Sequence, residues 1–222
     1  MDGYFNSNIY CDETGGDYFD FIELKDGVAE KLGVAVGDVA GHGISSALLM
    51  ATVRSSLRQR LMLPGSISQA ISDVNRQLVA DFADSGQFVT LFYLTLDPAN
   101  QILEWVRAGH EPAILYDPTR DSFIELAGTG MALGVNKNFR YEKRRIEGFS
   151  SGGIIVIATD GVWEARNDSG QMFGRTAIND IIREYSAAGA DDIMDAIFSQ
   201  INEYRNSAHP EDDETLVVVK LE

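Results

Sequence analysis

The sequence has a single cysteine, Cys11, and no apolar run as long as the roughly 20 residues that a membrane-spanning helix needs. One thiol cannot form an intrachain disulfide or a cysteine-rich zinc site. Basic residues are also few: 18 lysines and arginines face 34 aspartates and glutamates, which gives a net charge of −16. Non-specific binding of nucleic acid or of an anionic membrane needs a cationic surface. We therefore expect a cytoplasmic protein with neither a nucleic-acid nor a membrane partner.

Length and composition are those of a folded globular protein. The chain has 222 residues, of which 45% are hydrophobic and 9% aromatic. This length suits one large domain or two small ones. Because no long polar linker interrupts the chain, we predict a single domain over residues 1–222.

Strand-like and helix-like patterns alternate in blocks along the chain. Helices are predicted at residues 43–63, 66–82, 178–188 and 191–206, and strands at 6–11, 17–24, 31–38, 88–97, 101–108, 113–117, 122–126, 139–146, 153–159 and 215–221. Helices that come in pairs between blocks of antiparallel strands predict an α+β fold. We expect a four-layer α-β-β-α sandwich, with two antiparallel sheets packed face to face and helices on both outer faces.

The first two helices differ in how clearly one face is apolar. In the first, the spacing of Ile44, Ala47, Leu48 and Ala51 predicts the buried face, and three arginines (Arg54, Arg58, Arg60) are predicted to be solvated. In the second, Ser66 or Ser68 is the predicted N-cap, and Ile67, Ile71, Val74, Leu78 and Phe82 share the predicted buried face.

Several aspartates come at the ends of predicted strands, next to glycines. They are Asp17 in GGD, Asp38 in VGDVAGHG, Asp160 in ATDG, and Asp212 and Asp213 in EDDET. Each alone is ordinary turn chemistry. Together, carboxylates at several strand ends could form a site for a hard cation such as Mg²⁺ or Mn²⁺, which prefers oxygen ligands.

The segments GGDYFDFIEL, VGDVAGHGISSALLMA, RAGHEPAILY, ATDGVWEARNDSGQMFG and DDETLVVVK resemble, in order, the motifs of SpoIIE-type phosphatase domains. These domains belong to the metal-dependent serine/threonine phosphatases related to protein phosphatase 2C (PP2C). The resemblance extends from about Asn8 to Lys220. It implies a Mn²⁺- or Mg²⁺-dependent phosphoprotein phosphatase with two metal ions in its site.

The resemblance also implies a role for each matching residue. Asp38 corresponds to the aspartate that bridges both ions, and the carbonyl of Val39 to the adjacent backbone ligand. Asp160 and Asp212 correspond to the other side-chain ligands of one ion, so that Asp38, Asp160 and Asp212 form the catalytic set. Asp17 corresponds to an acidic position that contacts the second ion directly or through water.

Three further polar residues are predicted to surround the ligands without binding the ions themselves: Asp213, Asp20 and His42. The resemblance implies direct hydrolysis, in which a water activated by the metal ions attacks phosphorus. PP2C enzymes also hold the substrate phosphate with an arginine in the first motif, but here no lysine or arginine precedes Lys25. We therefore expect phosphate affinity to come mainly from the metal ions.

The resemblance implies a phosphorylated bacterial regulator as substrate, such as a small STAS-type anti-sigma factor antagonist of a partner-switching pathway. It also implies that the chain is the C-terminal output domain of a longer regulator. A homodimer remains open. The alternative function is a catalytically weak or inactive domain that binds a partner in such a pathway.

A second enzyme class has a local similarity only. Gly15, Gly16 and Asp17 begin a segment, GGDYF, similar to the GGDEF signature of diguanylate cyclases. That chemistry requires an acid after GGD, where this chain has Tyr18, and a different order of strands and helices. We therefore do not expect cyclase activity.

Overall fold

The computed structural model describes residues 4–9, 15–26, 29–41, 43–82, 86–206 and 210–221. Ten strands and five helices lie in these ranges. In chain order they are β1 (Tyr4–Ile9), β2 (Tyr18–Asp26), β3 (Ala29–Val39), α1 (Ile44–Leu61), α2 (Ile67–Phe82), β4 (Val89–Asp97), β5 (Ile102–Ala108), β6 (Ala113–Asp117), β7 (Ser122–Leu126), β8 (Arg144–Glu147), β9 (Ile154–Ala158), α3 (Asp160–Glu164), α4 (Gly174–Glu184), α5 (Ala190–Arg205) and β10 (Glu214–Lys220).

The chain divides into two compact units, each with one antiparallel sheet of five strands. The β2–β3 unit has strand order β2-β3-β4-β5-β8 and contains α1 and α2. The β9–β10 unit has strand order β1-β10-β9-β6-β7 and contains α3, α4 and α5. Antiparallel sheets with helices confirm the predicted α+β class. The expectation that residues 1–222 form a single domain stays a prediction.

Each unit has its own apolar core between its helices and its sheet. In the β2–β3 unit, α2 contributes Ile71, Val74 and Leu78, all of which are buried. The Ser66 hydroxyl accepts a hydrogen bond from the Gln69 backbone N–H at 3.2 Å, so Ser66 is the N-cap. Both predictions for α2 are thus confirmed.

The predicted buried face of α1 is wrong. Ile44 and Leu48 are 75% and 65% exposed, whereas Leu49, Val53 and Leu57 are buried. Apolar residues lie on several sides of this helix, so spacing alone did not distinguish the packed side. The buried side also carries two serines, Ser46 and Ser56, which a search for apolar residues does not select.

The prediction that Arg58 and Arg60 are simply solvated is also wrong, because both make ion pairs with aspartates. In the β9–β10 unit, six isoleucines of α4 and α5 contribute to the helical side of the core. They are Ile178, Ile181 and Ile182 of α4 and Ile193, Ile197 and Ile201 of α5.

Other boundaries differ modestly from the predictions. Strand β8 covers only Arg144–Glu147 of the predicted 139–146, and the short helix α3 was not predicted. The strands predicted at 17–24 and 31–38 correspond to β2 and β3, which form an antiparallel hairpin paired from Tyr18↔Gly37 to Asp26↔Ala29. Cys11 lies outside the described residues. None of the helices that the structure describes is long and apolar enough to span a bilayer.

Candidate metal-binding site

Asp17 and Asp38 lie at the same end of the β2–β3 hairpin. Because Tyr18 pairs with Gly37 in an antiparallel register, the next residues at that end are Asp17 and Asp38. The Val39 N–H donates to the Gly16 carbonyl at 3.3 Å, which joins the two segments beyond the last β2–β3 residue pair. Asp17 is only 2% exposed, and Asp38 is half-buried.

Gly16 is required for this close approach. A Cβ at position 16 would lie 2.9 Å from the Val39 carbonyl oxygen and 3.6 Å from Oδ1 of Asp38. The backbone that carries Asp17 therefore lies directly against two of the predicted ligands. This end of the unit offers carboxylate and carbonyl oxygens, the donors that Mg²⁺ and Mn²⁺ prefer.

Asp160 and Asp212 lie at one end of the β9–β10 pair. Ala158, at the end of β9, pairs with Leu216 near the start of β10. The Thr159 N–H donates to the Thr215 carbonyl, and the Thr215 N–H donates to the Thr159 hydroxyl, both at 3.0 Å. These hydrogen bonds hold the segments that carry Asp160 and Asp212 at the same end of the β9–β10 strand pair.

Gly161 allows the two segments to touch. A Cβ at this position would lie only 2.2 Å from the Asp213 carbonyl oxygen, so any side chain would force the backbones apart. The Asp213 N–H donates to Oδ1 of Asp212 at 2.8 Å, which orients that carboxylate. Asp213 itself is 5% exposed, and its carbonyl accepts a hydrogen bond from the Thr159 hydroxyl at 3.5 Å.

The predicted ligands are thus brought together in two sets. Asp17, Asp38 and Val39 belong to the β2–β3 unit, and Asp160 and Asp212 belong to the β9–β10 unit. Within neither unit, over the residues described, do three His, Cys, Asp or Glu side chains cluster as a metal site. The donors in both sets are all oxygen atoms, which fits a hard divalent cation.

Asp20 was one of the three residues predicted to surround the metal ligands, but its hydrogen bonds connect β2 with α1. Its two carboxylate oxygens accept hydrogen bonds from Nε and Nη2 of Arg58, and Tyr18 donates its hydroxyl to Oδ2 at 3.1 Å. Burial, followed by the Asp20 charge, raises the pKa of Tyr18. Asp20 therefore joins β2 to α1. His42 lies outside the described residues.

Sequence reasoning missed a contact on the Asp38 backbone. Thr90 lies opposite Asp38 in the β3–β4 register, and its hydroxyl is 3.4 Å from the Asp38 carbonyl oxygen. The same hydroxyl is 2.8 Å from Nδ1 of His110, which is buried. Only the register of β4 against β3 reveals this contact, because Thr90 is an ordinary strand residue in the sequence.

A cavity of about 240 Å³ opens beside Asp212 in the β9–β10 unit. Its lining includes Gly161, Asp212, Glu211 and two arginines, Arg166 and Arg205. Sequence reasoning did not single out either arginine.

The fold is similar to that of solved phosphatase structures. The SiaA-PP2C domain of Pseudomonas aeruginosa has a TM-score of 0.84 at 19% identity, covering 99% of this chain and 86% of that one. The PP2C phosphatase domain of SpoIIE from Bacillus subtilis, solved with a fragment of its regulatory domain, has a TM-score of 0.83 at 19% identity, covering 98% and 62%. RsbX in complex with magnesium has a TM-score of 0.72 at 15% identity, covering 99% and 94%. The fold is that of the PP2C-type phosphatases, as expected.

The sequence narrows this class to one family. The model of the family "Stage II sporulation protein E (SpoIIE)" matches residues 29–222, so the chain belongs to the SpoIIE family. It is 27% identical over 214 residues to phosphoserine phosphatase RsbU of Bacillus subtilis (strain 168), covering 96% of this chain and 61% of RsbU. It is 23% identical over 224 residues to phosphoserine phosphatase RsbP of the same strain, covering 100% and 52%. The chain spans little more than half the length of these relatives.

Proposed function

We propose that the chain hydrolyses phosphoserine or phosphothreonine in a bacterial regulatory protein, using two Mn²⁺ or Mg²⁺ ions. The ions would be held by Asp17, Asp38, the Val39 carbonyl, Asp160 and Asp212. The observation that carries this proposal is the geometry of Gly16 and Gly161, since each lets a second acidic segment approach an aspartate more closely than any side chain would permit. Two such glycines beside two aspartate pairs are hard to explain by turn formation alone.

The two ions, when bound, would supply a nucleophilic water at neutral pH and neutralise the charge on the phosphate. The residues of this chain would bind and orient. Asp213, through its N–H, holds the Asp212 carboxylate in one direction, and Thr90 contacts the Asp38 carbonyl that precedes Val39. Such contacts of the ligands with their neighbours commonly set metal affinity.

The substrate we propose is a phosphorylated STAS-type anti-sigma factor antagonist in the bacterial cytoplasm. The support is the similarity to RsbU and RsbP, which are phosphoserine phosphatases. We also propose that the chain is the C-terminal output domain of a longer regulator. The same proposal includes the formation of a homodimer by this chain.

The proposal is tested by release of phosphate from a phosphoserine peptide and from para-nitrophenyl phosphate. Mn²⁺ or Mg²⁺ should be required, and a chelator should abolish release. Asp38→Ala, Asp160→Ala and Asp212→Ala should each reduce release by at least roughly 100-fold. A loss of roughly 100-fold is the upper limit for a residue that only contacts a metal ligand. Asp180→Ala is the matched control, because Asp180 is an exposed aspartate of α4 whose carboxylate pairs with Arg183 one turn further along the same helix.

Metal binding provides an independent measurement. Equilibrium dialysis should show two Mn²⁺ ions per chain, with fewer bound by Asp38→Ala. Unchanged hydrolysis in Asp38→Ala would contradict the assigned ligands. Metal binding with no hydrolysis of either substrate, but tight binding of a partner, would instead support the alternative of a domain that binds without turnover.

A further inference from the structure

The cavity beside Asp212 in the β9–β10 unit is lined by two basic residues as well as by this proposed metal ligand. Its lining includes two arginines and four acidic residues, namely Arg166, Arg205, Glu164, Glu211, Asp212 and Glu214. In the sequence, no lysine or arginine precedes Lys25, so the segment that carries Asp17 offers no cation to an anionic substrate. The two arginines of the cavity differ in what they can bind.

Arg205 is already committed to a partner. Its side chain is 6% exposed, and its guanidinium forms an ion pair with Glu214, whose side chain is 2% exposed. Breaking a buried pair leaves an uncompensated charge, which is strongly unfavourable. Arg205 therefore serves the structure of the cavity and is not available to a substrate.

Arg166 is accessible and only weakly paired. Its side chain is 38% exposed, and its Nε lies 3.9 Å from Oε2 of Glu211, whose side chain is 80% exposed. An ion pair that is this exposed and this long is weak, so an incoming dianion can replace Glu211 at little cost. The guanidinium also donates from Nη1 to the Gly170 carbonyl at 2.9 Å, which leaves other N–H groups for a ligand.

The backbone of Arg166 is held in a tight hairpin. Phe173 N–H donates to the Ala165 carbonyl at 2.8 Å, and Arg166 and Met172 form a β-bridge. Within the turn, Oδ1 of Asn167 accepts hydrogen bonds from the N–H groups of Ser169 and Gln171, both at 3.0 Å. The guanidinium thus starts from a fixed backbone position beside Asp212, and less ordering is needed when it binds a ligand.

We propose that Arg166 binds the phosphate group of the substrate beside Asp212, exchanging Glu211 for the phosphate dianion. The inference rests on the proposed function and adds a substrate-binding residue to it. A guanidinium suits this task because its parallel N–H groups match two phosphate oxygens. Since carboxylates outnumber guanidinium groups around the cavity, phosphate should bind at Arg166 only when Mn²⁺ is present.

The test compares four variants of the full chain at saturating Mn²⁺: Arg166→Ala, Arg166→Lys, Glu211→Gln and Arg183→Ala. For each, kcat and KM are measured with a phosphoserine peptide, and the inhibition constant is measured for inorganic phosphate. Arg183→Ala is the matched control, because Arg183 has a similar exposure of 43% and pairs with Asp121 and Asp180 in the same unit. Thermal unfolding confirms that every variant is folded.

We expect Arg166→Ala to raise KM and the phosphate inhibition constant roughly tenfold, as loss of a hydrogen bond to a charged group does. Arg166→Lys should give a smaller increase, because an ammonium group cannot bind two oxygens in parallel. Glu211→Gln should lower the inhibition constant about twofold to threefold, because it removes a competing exposed ion pair. This decrease in the inhibition constant should disappear when Glu211→Gln is combined with Arg166→Ala. If Arg166 had only a structural role, Glu211→Gln would not lower the inhibition constant.

The outcomes separate this inference from the proposed function. If the wild-type chain hydrolyses the peptide and Arg166→Ala keeps its KM and its phosphate inhibition constant, the inference is overturned and the function stands. If the variant changes only kcat and its requirement for Mn²⁺, Arg166 acts on the metal ligands and the inference is again overturned. If the wild-type chain releases no phosphate, the proposed function is wrong. The role of Arg166 is then decided by calorimetric binding of inorganic phosphate to the Mn²⁺-loaded wild-type chain and to the same four variants.

Discussion

The Thr90 hydroxyl lies 2.8 Å from Nδ1 of buried His110 and 3.4 Å from the carbonyl oxygen of Asp38. A hydroxyl has one proton to donate and two lone pairs with which to accept. If it donates to the Asp38 carbonyl, His110 must donate to it from Nδ1. Thr90 then connects a buried imidazole to the backbone that carries two of the proposed metal ligands.

The first prediction concerns this contact. Thr90→Val should weaken Mn²⁺ binding roughly tenfold, because groups that orient metal ligands contribute about that much. It should also lower the free energy of unfolding by about 1 kcal/mol for the lost hydrogen bond. Thr90→Ser keeps the hydroxyl and should bind Mn²⁺ nearly as the wild type does.

Thr95→Val is the matched control for that experiment. Thr95 also lies on β4, is buried, and contacts a backbone carbonyl at 3.4 Å, but its partner is Glu104. It should lose stability without losing Mn²⁺ affinity, as measured by calorimetry. If Thr90→Val and Thr95→Val bind Mn²⁺ equally well, Thr90 has no part in positioning the site.

The second prediction concerns the close approach at Gly161. Gly161→Ala places a methyl group 2.2 Å from the Asp213 carbonyl, so the two segments must separate. We expect a loss of about 2 kcal/mol in the free energy of unfolding, which is typical of overpacking, together with weaker Mn²⁺ binding. Gly128→Ala is the control, since its Cβ would make only an ordinary 3.4 Å contact with Arg107. Equal stability of the two alanine variants would contradict the geometry described for Gly161.

The third prediction concerns the ion pair between Asp20 and Arg58. Asp20 is 7% exposed, whereas the Arg58 side chain is 34% exposed, so the pair is only partly desolvated. Asp20→Asn should lower the free energy of unfolding by about 2 kcal/mol, less than for a fully buried pair. Combining it with Arg58→Met should restore part of this loss, because the uncompensated charge is then removed. Denaturant unfolding of the single and double variants measures the coupling, and strictly additive losses would show that the pair contributes nothing.

The fourth prediction concerns alkaline pH. Burial raises the pKa of Tyr18, Tyr93 and Tyr141, and the charge of Asp20 raises those of Tyr18 and Tyr93 further. The folded state keeps these phenols protonated, whereas the unfolded chain loses the protons above about pH 10. The stability contributed by the neutral phenols is therefore complete below that pH and decreases as the pH rises beyond it.

Denaturant unfolding at increasing pH, with ultraviolet absorbance of tyrosinate as a second signal, tests this prediction. Tyrosinate from these residues should appear together with unfolding. Tyr93→Phe should reduce the loss at high pH and should not destabilise the protein at neutral pH, because among the described residues the buried Tyr93 hydroxyl has no hydrogen-bond partner. Ionisation of all the tyrosines in a chain that stays folded would disprove the assignment.

Local patterns predicted much of the fold correctly. Alternation in the strands, the Ser66 cap and the apolar face of α2 depend on neighbours within a few residues, so the sequence shows them directly. The predicted buried face of α1 was wrong because several sides of this helix carry apolar residues. There, packing against the sheet selected Leu49, Val53 and Leu57.

The sequence alone determined the acidic character of the chain, its strand and helix content, and the aspartates at strand ends that mark the proposed site. Tertiary structure decided that Asp160 and Asp212 lie at the same end of one strand pair, because the pairing Ala158↔Leu216 joins segments far apart in the chain. It also decided the partners of Asp20, Thr90 and Arg166. Contacts of this kind depend on sheet register and on hairpin geometry, which bring together residues that no local pattern connects.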